Sequence, residues 1–272
     1  MLIKKPHIHV PYGRFLEFAP LCRENGFDLE LYVTAQDMDI LALESASGRN
    51  GSSFPLPAEK ILKLLDYRPA LSIHAPFMDL SPGAVDEKIR AVTIERFGKT
   101  LDMACKLGAK TVVFHSGYEK WKYSLRVDVW LEKSLITWEP LISRAKKEGV
   151  RIAVENIFED SPENLAALFE RFSGCENFGL CFDTGHFNLF SKLPLEDWLG
   201  PLKKHIIELH LHDNDGSTDA HRPIGDGTFP FDRLFRELKE TNEAKDGQGI
   251  VFTLEAHNKE DVFKSLKRLQ EF

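Results

Sequence analysis

Short apolar runs alternate with longer stretches of helical periodicity from one end of the chain to the other. The strand-like runs are HIHV at 7–10, FDLELYV at 27–33, ALSIHAP at 70–76, TVVFHSG at 111–117, RIAVEN at 151–156, FGLCFDT at 178–184, IIELHLHD at 206–213 and GIVFTLEA at 249–256. Between and after them, helical spacing runs over 13–24, about 56–66, 85–107, 125–148, 162–172, 195–205, 230–240 and 260–271. Three junctions share one device: RENGFDLEL, CKLGAKTVVF and KKEGVRIAVE each pass from charged residues through a glycine into a strand. Glycine there supplies the left-handed cap that turns a helix end back onto a sheet. The repetition predicts one architecture rather than several domains.

Eight such units in 272 residues predict an α/β fold, a single (β/α)8 TIM barrel of eight parallel strands spanning residues 1–272. An open doubly wound sheet would show fewer units and a glycine-rich phosphate loop after the first strand, and no GxGxxG or Walker-type sequence occurs. The longest irregular connection, 34–55, carries SASGRNGSS and follows strand two, on the face where barrel enzymes hold their active sites.

Composition changes this picture little. A hydrophobic content of 43% and a charged content of 28% suit a large folded core. The net charge of -7 offers no global basic footprint for nucleic acid, which weakens a DNA role without removing it. Cys22, Cys105, Cys175 and Cys181 form no CxxC pair and read as reduced thiols. The opening MLIKKPHIHVPYG lacks the apolar core of a signal peptide, and no run reaches membrane-spanning length, so a soluble cytoplasmic protein with no membrane partner is expected.

One segment stands out chemically. HLHDNDGSTDAHRPIGDG, 210–227, packs three histidines and four aspartates into a loop whose turn formers explain the acids but not the imidazoles. Placed on a barrel, polar residues gather at strand ends: His74 on strand three, His115 on four, Glu155 on five, Asp183 on six with His186 just beyond, His210 on seven and Glu255 on eight. Each alone reads as a buried structural histidine or a helix cap. Together at one mouth they would be too costly to bury unneutralised, and divalent cations are the usual remedy. Asp219 and His221 follow on the strand-seven loop, spaced to point two side chains to one side beside His186. His212 reads equally as an orienting neighbour or as a loop-base histidine, and with Asp213 and Asp215 stays outside the ligand set. His7, His205 and His257 read as structural or surface residues; His9 is the one of that group expected to approach substrate.

These residues, taken in order, resemble the xylose isomerase-like barrel superfamily, AP endonuclease family 2, which includes sugar-phosphate isomerases and epimerases and the endonuclease IV group. The resemblance spans nearly the whole chain and rests on IHAP at 73–76, FHSG at 114–117, VEN at 154–156, FDTGH at 182–186, HLHD at 210–213, DAH at 219–221 followed by IGDG, and LEAH at 254–257. It implies a core metal site of Glu155, Asp183, His210 and Glu255. It further implies that His74, His115, His186, Asp219 and His221 fill five positions added in endonuclease IV-like members. Two departures are visible. IFEDSPENL, 157–165, replaces the Gly- and Thr-rich sequence of the nucleases, and Ser161 and Gly216 stand where ketose epimerases carry a substrate-holding Glu and Arg, with Glu159, Asp160 and Arg222 nearby.

The expectation is a metal-dependent isomerase or epimerase acting on a small sugar or sugar phosphate, with Glu155 and Glu255 as base and acid in proton transfer next to a carbonyl. The alternatives are an endonuclease IV-like multi-zinc phosphodiesterase and a homologue that binds metal without catalysis. The cofactor is a divalent metal, Zn, Mn, Mg or Co, at about one to three ions per chain. Phe77, Phe187 and Trp121 are candidate apolar walls, Arg222 and Arg49 candidate anion contacts, and a homo-oligomer is left open.

Overall fold

In a computed structural model that describes residues 5–39, 56–242 and 249–272, the strands are β1 (His7–Pro11), β2 (Asp28–Tyr32), β3 (Leu71–His74), β4 (Thr111–His115), β5 (Arg151–Glu155), β6 (Phe178–Asp183), β7 (Ile206–Leu211) and β8 (Val251–Leu254). Each pairs in parallel with the next and β8 closes onto β1, giving the expected (β/α)8 barrel. The helices described are α1 (Phe15–Asn25), α2 (Ala58–Leu64), α3 (Glu87–Leu107), α4 (Val127–Glu148), α5 (Glu163–Arg171), α6 (Thr184–Phe190), α7 (Leu195–Leu202), α8 (Phe231–Asn242) and α9 (Lys259–Leu269). None of the described helices is long and apolar enough to cross a membrane. Arg49 and the SASGRNGSS segment lie outside the described residues.

The glycine junctions work as their sequence implies. Gly26, Gly108 and Gly149 take φ of 65°, 74° and 67°, and the residue after each donates its N–H to a carbonyl five positions back: Phe27 to Cys22, Ala109 to Ala104 and Val150 to Ala145, all at 2.9 Å.

Two helical expectations differ from what forms. The helix expected over 195–205 ends at Leu202 and tightens into a 3-10 turn over Lys203–His205 before β7 begins. The short helix α6 carries no periodic signal of its own, since TGHFNLF is too short and starts with a β-branched residue and a glycine. It forms because Asp183 accepts from His186 N–H at 2.6 Å and Phe187 packs among Trp198 and Phe229.

The larger core lies between sheet and helices, where Trp130, Trp138, Trp198, Phe97, Phe114 and Phe169 are buried. Inside the barrel the filling is two-sided. Val113, Ala153, Cys181 and Ile207 form an apolar half, as barrel interiors usually do. The other half is polar and buried: His7, Glu30, Ser72, Glu208 and Thr253. His7 Nδ1 lies 2.9 Å from Ser72 Oγ, Ser72 reaches Glu30 and Glu208 at 3.3 Å each, and Thr253 donates to Glu208 at 2.8 Å. On β3, β7 and β8 these residues precede His74, His210 and Glu255 by two positions, so the network sits one layer beneath the barrel mouth.

Burial pushes the His7 pKa down to about 4, against the opposing pull of Asp28 and Glu30. The unfolded chain therefore binds the extra proton first, and the stability due to His7 is complete above the ordinary value of 6.5 and is lost as pH falls toward about 4. Denaturant unfolding across that window should show a loss on the order of 2–3 kcal/mol that His7→Gln reduces; an unchanged pH slope in the variant would show that His7 is not neutral in the fold.

Candidate metal centre

Glu155, the last residue of β5, is the hub. Its Oε2 lies 3.0 Å from His74 Nε2 and 3.2 Å from His115 Nε2, while its Oε1 lies 3.1 Å from His186 Nδ1 and 3.4 Å from His210 Nδ1. His210 Nδ1 also lies 3.2 Å from Glu255 Oε1 and 3.8 Å from Asp183 Oδ2. On α6, His186 Nε2 is 3.5 Å from Asp219, which also lies 3.2 Å from His221 Nε2. All nine expected ligands therefore meet at one end of the barrel. The parallel register accounts for this: His115 pairs with Glu155 and Asp183 with His210 on neighbouring strands.

The donors fit a divalent cation. His74 Nδ1 faces the Ala75 carbonyl at 2.9 Å, so a neutral ring turns its Nε2 lone pair toward the Glu155 carboxylate. Two lone pairs face to face require a cation or a proton between them. His210 Nδ1 is buried with no hydrogen-bond partner, although two glutamates stand beside it. His74, Glu155 and His210 present one ligand atom each within 4.8 Å of one another, as do His212, Asp219 and His221. Mixed imidazole and carboxylate donors suit zinc, manganese or cobalt.

Charge in the cluster is balanced by mutual compensation. Burial works against ionised Glu155 and Glu255, yet His210 and its neighbouring imidazoles hold both carboxyls well below the usual range. Burial also opposes charge on His9, but Glu255 and Glu30 push its pKa up to about 10. Despite burial, His186 is raised by Asp183, Asp219 and Glu155, and His210 by Cys181 and then by Glu30, Glu255 and Glu155. Burial dominates at His115, bringing it down to about 4 and leaving a neutral ring with a lone pair to offer.

The sequence pattern does not single out Glu30, and it keeps His212 and Asp213 outside the ligand set, His212 with an orienting role as one of two equal readings. Glu30, fully buried on β2, stands 3.0 Å from His9 Nδ1 and 3.3 Å from His210 Nε2, which turns His210 Nδ1 toward Glu155 and Glu255. A carboxylate behind a ligating imidazole is a common way to fix its tautomer; the only sequence signal was an acidic residue inside an apolar strand, FDLELYV. His212 directs Nε2 to both oxygens of Asp183 at 3.1 and 3.0 Å and stacks on His221 with ring centroids 3.9 Å apart. It can do so because Gly185 is bare there: a Cβ would lie 2.0 Å from the His212 ring. Asp213 organises the loop, accepting from the N–H groups of Gly225, Gly227 and Phe229. That wrap carries Asp219 and His221 back over the mouth, with His221 in the left-handed region at φ 46°.

A cavity of about 700 Å³ opens over the cluster, lined by His9, His74, His115, Glu155, His186 and Glu255 at its base. Phe77 lines it as well, so both Phe77 and His9 face the cavity. Other proposed substrate contacts lie elsewhere. Arg222 is outside the lining and bound to Asp215 at 2.6 Å. Phe187 is buried against Trp198, and Trp121 is exposed outside the cavity. Glu159 is buried and held by Ser116, Ile157 N–H and Asn164, while Asp160 pairs with Lys120.

The fold agrees with that of known proteins. The model of the xylose isomerase-like TIM barrel family matches residues 21–272, and the chain belongs to that family. It is 30% identical to the uncharacterized protein MJ1311 of Methanocaldococcus jannaschii over 227 residues, covering 80% of this chain and 75% of that one. It is 25% identical to a probable endonuclease 4 of Campylobacter concisus, over 72% of this chain and 75% of that protein. Among solved structures, the TTHB071 protein of Thermus thermophilus, soaked with ZnCl2, shares 28% identity at a TM-score of 0.73, covering 98% and 97% of the two chains. A D-tagatose 3-epimerase-like protein shares 27% identity at a TM-score of 0.76, covering 97% and 96%.

Two substitutions test the supporting residues. Glu30→Gln keeps the shape but removes the charge behind His210, and should weaken zinc binding about tenfold or more in a calorimetric titration; an unchanged affinity would show that Glu30 does not support His210 as a ligand. Gly185→Ala should displace His212 and cost both stability and zinc capacity; wild-type zinc stoichiometry and melting temperature in this variant would show that the ring is not held there.

Proposed function

We propose that this chain is a multi-metal-ion enzyme that hydrolyses a phosphate ester. The observation that carries this reading is the convergence of nine potential ligands around Glu155 in one cavity, more donors than a single ion uses. Clustered divalent ions supply an activated water and neutralise the attacking and leaving oxygens of an ester. His74, His115 and Glu155 would hold one ion. Glu155, Asp183, His210 and Glu255 would hold a second, and His186, Asp219 and His221 a third. Glu155 faces both His74 and His210, a position suited to bridging two ions. His212 keeps Asp183 aimed and Glu30 keeps His210 aimed. The probable endonuclease 4 among the similar proteins supports the hydrolytic reading, and the zinc-soaked TTHB071 supports zinc as the ion.

A metal-dependent sugar isomerase or epimerase is the second reading. It is favoured by Glu155 and Glu255, which approach His210 Nδ1 from opposing strands as a base and an acid flanking one ion would, and by the likeness to the D-tagatose 3-epimerase-like protein. It ranks second because Glu159, Asp160 and Arg222, the residues near the substrate-holding positions of ketose epimerases, are engaged away from the cavity.

Elemental analysis with activity assays separates the two. The phosphoesterase reading expects about two or three zinc per chain, turnover of bis(p-nitrophenyl) phosphate, and a loss of about 100-fold or more with one ion in His186→Ala. One ion per chain, no phosphodiester turnover, and solvent-deuterium exchange into a ketose that Glu255→Gln abolishes would establish the isomerase instead.

A further inference from the structure

The cavity wall above the ligand cluster carries a large share of hydrocarbon. Met78, Leu80, Ile89, Ile157, Phe158 and Phe190 line it, and Met78, Ile89 and Phe158 are 73%, 50% and 52% exposed. Such exposure in a loop-borne side chain often means only that the loop is loose. Here the segments that carry these residues are tied from behind. Met78 sits in a turn closed by Leu80 N–H to Phe77 O at 3.0 Å with Asp79 at φ 62°, and the next residue, Ser81, donates its N–H to Thr93 Oγ1 on α3 at 3.0 Å. Phe158 is flanked by Ile157, whose N–H donates to buried Glu159 at 2.6 Å, and its ring meets Phe190 edge to face at 5.2 Å.

The apolar surface is continuous with the ligands. Phe77 stacks on His115 at 4.1 Å and on Tyr32 at 5.8 Å, so a flat hydrocarbon face runs from a ligating imidazole toward the rim. Charge on the wall is sparse and mostly negative: the lining contains Asp79 and Glu119, a single ammonium at Lys122, and no arginine among the described residues. A polynucleotide is gripped through its phosphates by several lysines and arginines, which this lining does not supply. A volume of about 700 Å³ is that of a small-molecule site.

Building on the phosphoester reading, we propose that the substrate is a small organic phosphate ester carrying an aryl or similarly apolar group, with its phosphoryl end on the ligand cluster and its apolar end between Met78 and Ile89 on one side and Phe158 and Phe190 on the other. The wall is thus a specificity subsite, and it selects against nucleic acid.

Calorimetric titration of the zinc-saturated protein with phenylphosphonate and methylphosphonate tests this without requiring turnover. The wild type should prefer the phenyl compound by about tenfold or more. In a Met78→Ser, Phe158→Ser double variant, whose changes are at exposed positions and do not endanger the core, that ratio should collapse to within about twofold. A wild-type ratio near one, or a ratio that the double variant leaves unchanged, overturns the subsite while the phosphoester reading stands. If neither phosphonate binds, the phosphoester reading fails and the subsite falls with it.

Discussion

The mouth of this barrel brings carboxylates and imidazoles together where water is largely excluded, and each sign of charge is tolerated only because the other is present. Glu30, Glu155, Asp183 and Glu255 are all buried, and an isolated buried carboxylate would be strongly destabilising. His9, His74, His186 and His210 stand within 3.0 to 3.4 Å of these groups. Protons can balance this arrangement, and so can cations. The orphaned Nδ1 of His210 and the Nε2 of His74 that faces Glu155 are the atoms at which either can sit.

The rest of the molecule keeps that cluster in place. Parallel register levels the strand ends, and the layer beneath them is polar on the side that supports His9 and His210 and apolar on the side beneath His115 and Glu155. Asn156 links β5 to β6 by exchanging hydrogen bonds with the Asp183 backbone at 2.9 and 3.0 Å. The loop after β7 is wrapped around Asp213, so the turn formers that give it a bland composition also deliver Asp219 and His221 to the site. Above this polar base the cavity becomes hydrocarbon, and the change of chemistry along its depth is what bears on the choice of substrate.

Much of this was readable in advance because it depends on local chemistry. A left-handed glycine after a charged helix end is a property of a few residues, and RENGFDLEL behaves in the fold as its letters imply. His74, His115, Glu155, Asp183, His210 and Glu255 could be placed at strand ends because strands were delimited by apolar runs that the structure reproduces. The helix α6 could not be foreseen in this way, since it depends on an Asp183 cap and on Phe187 finding Trp198. The cavity lining was legible only in part. Phe77 reaches the cavity, whereas Arg222 finds Asp215 first, and nothing in the spacing of an exposed arginine says which carboxylate will lie nearest.

By itself the sequence determined the barrel, the strand ends and the inventory of possible ligands, because periodicity, caps and residue type act over a few neighbours. Only the tertiary structure decided which of those groups face one another. Glu30 and His210 are 180 positions apart in the chain, yet closure of the barrel sets their side chains 3.3 Å apart. Whether a buried carboxylate is a liability or a support for a metal ligand depends on that distance, and it is set by how the whole sheet closes.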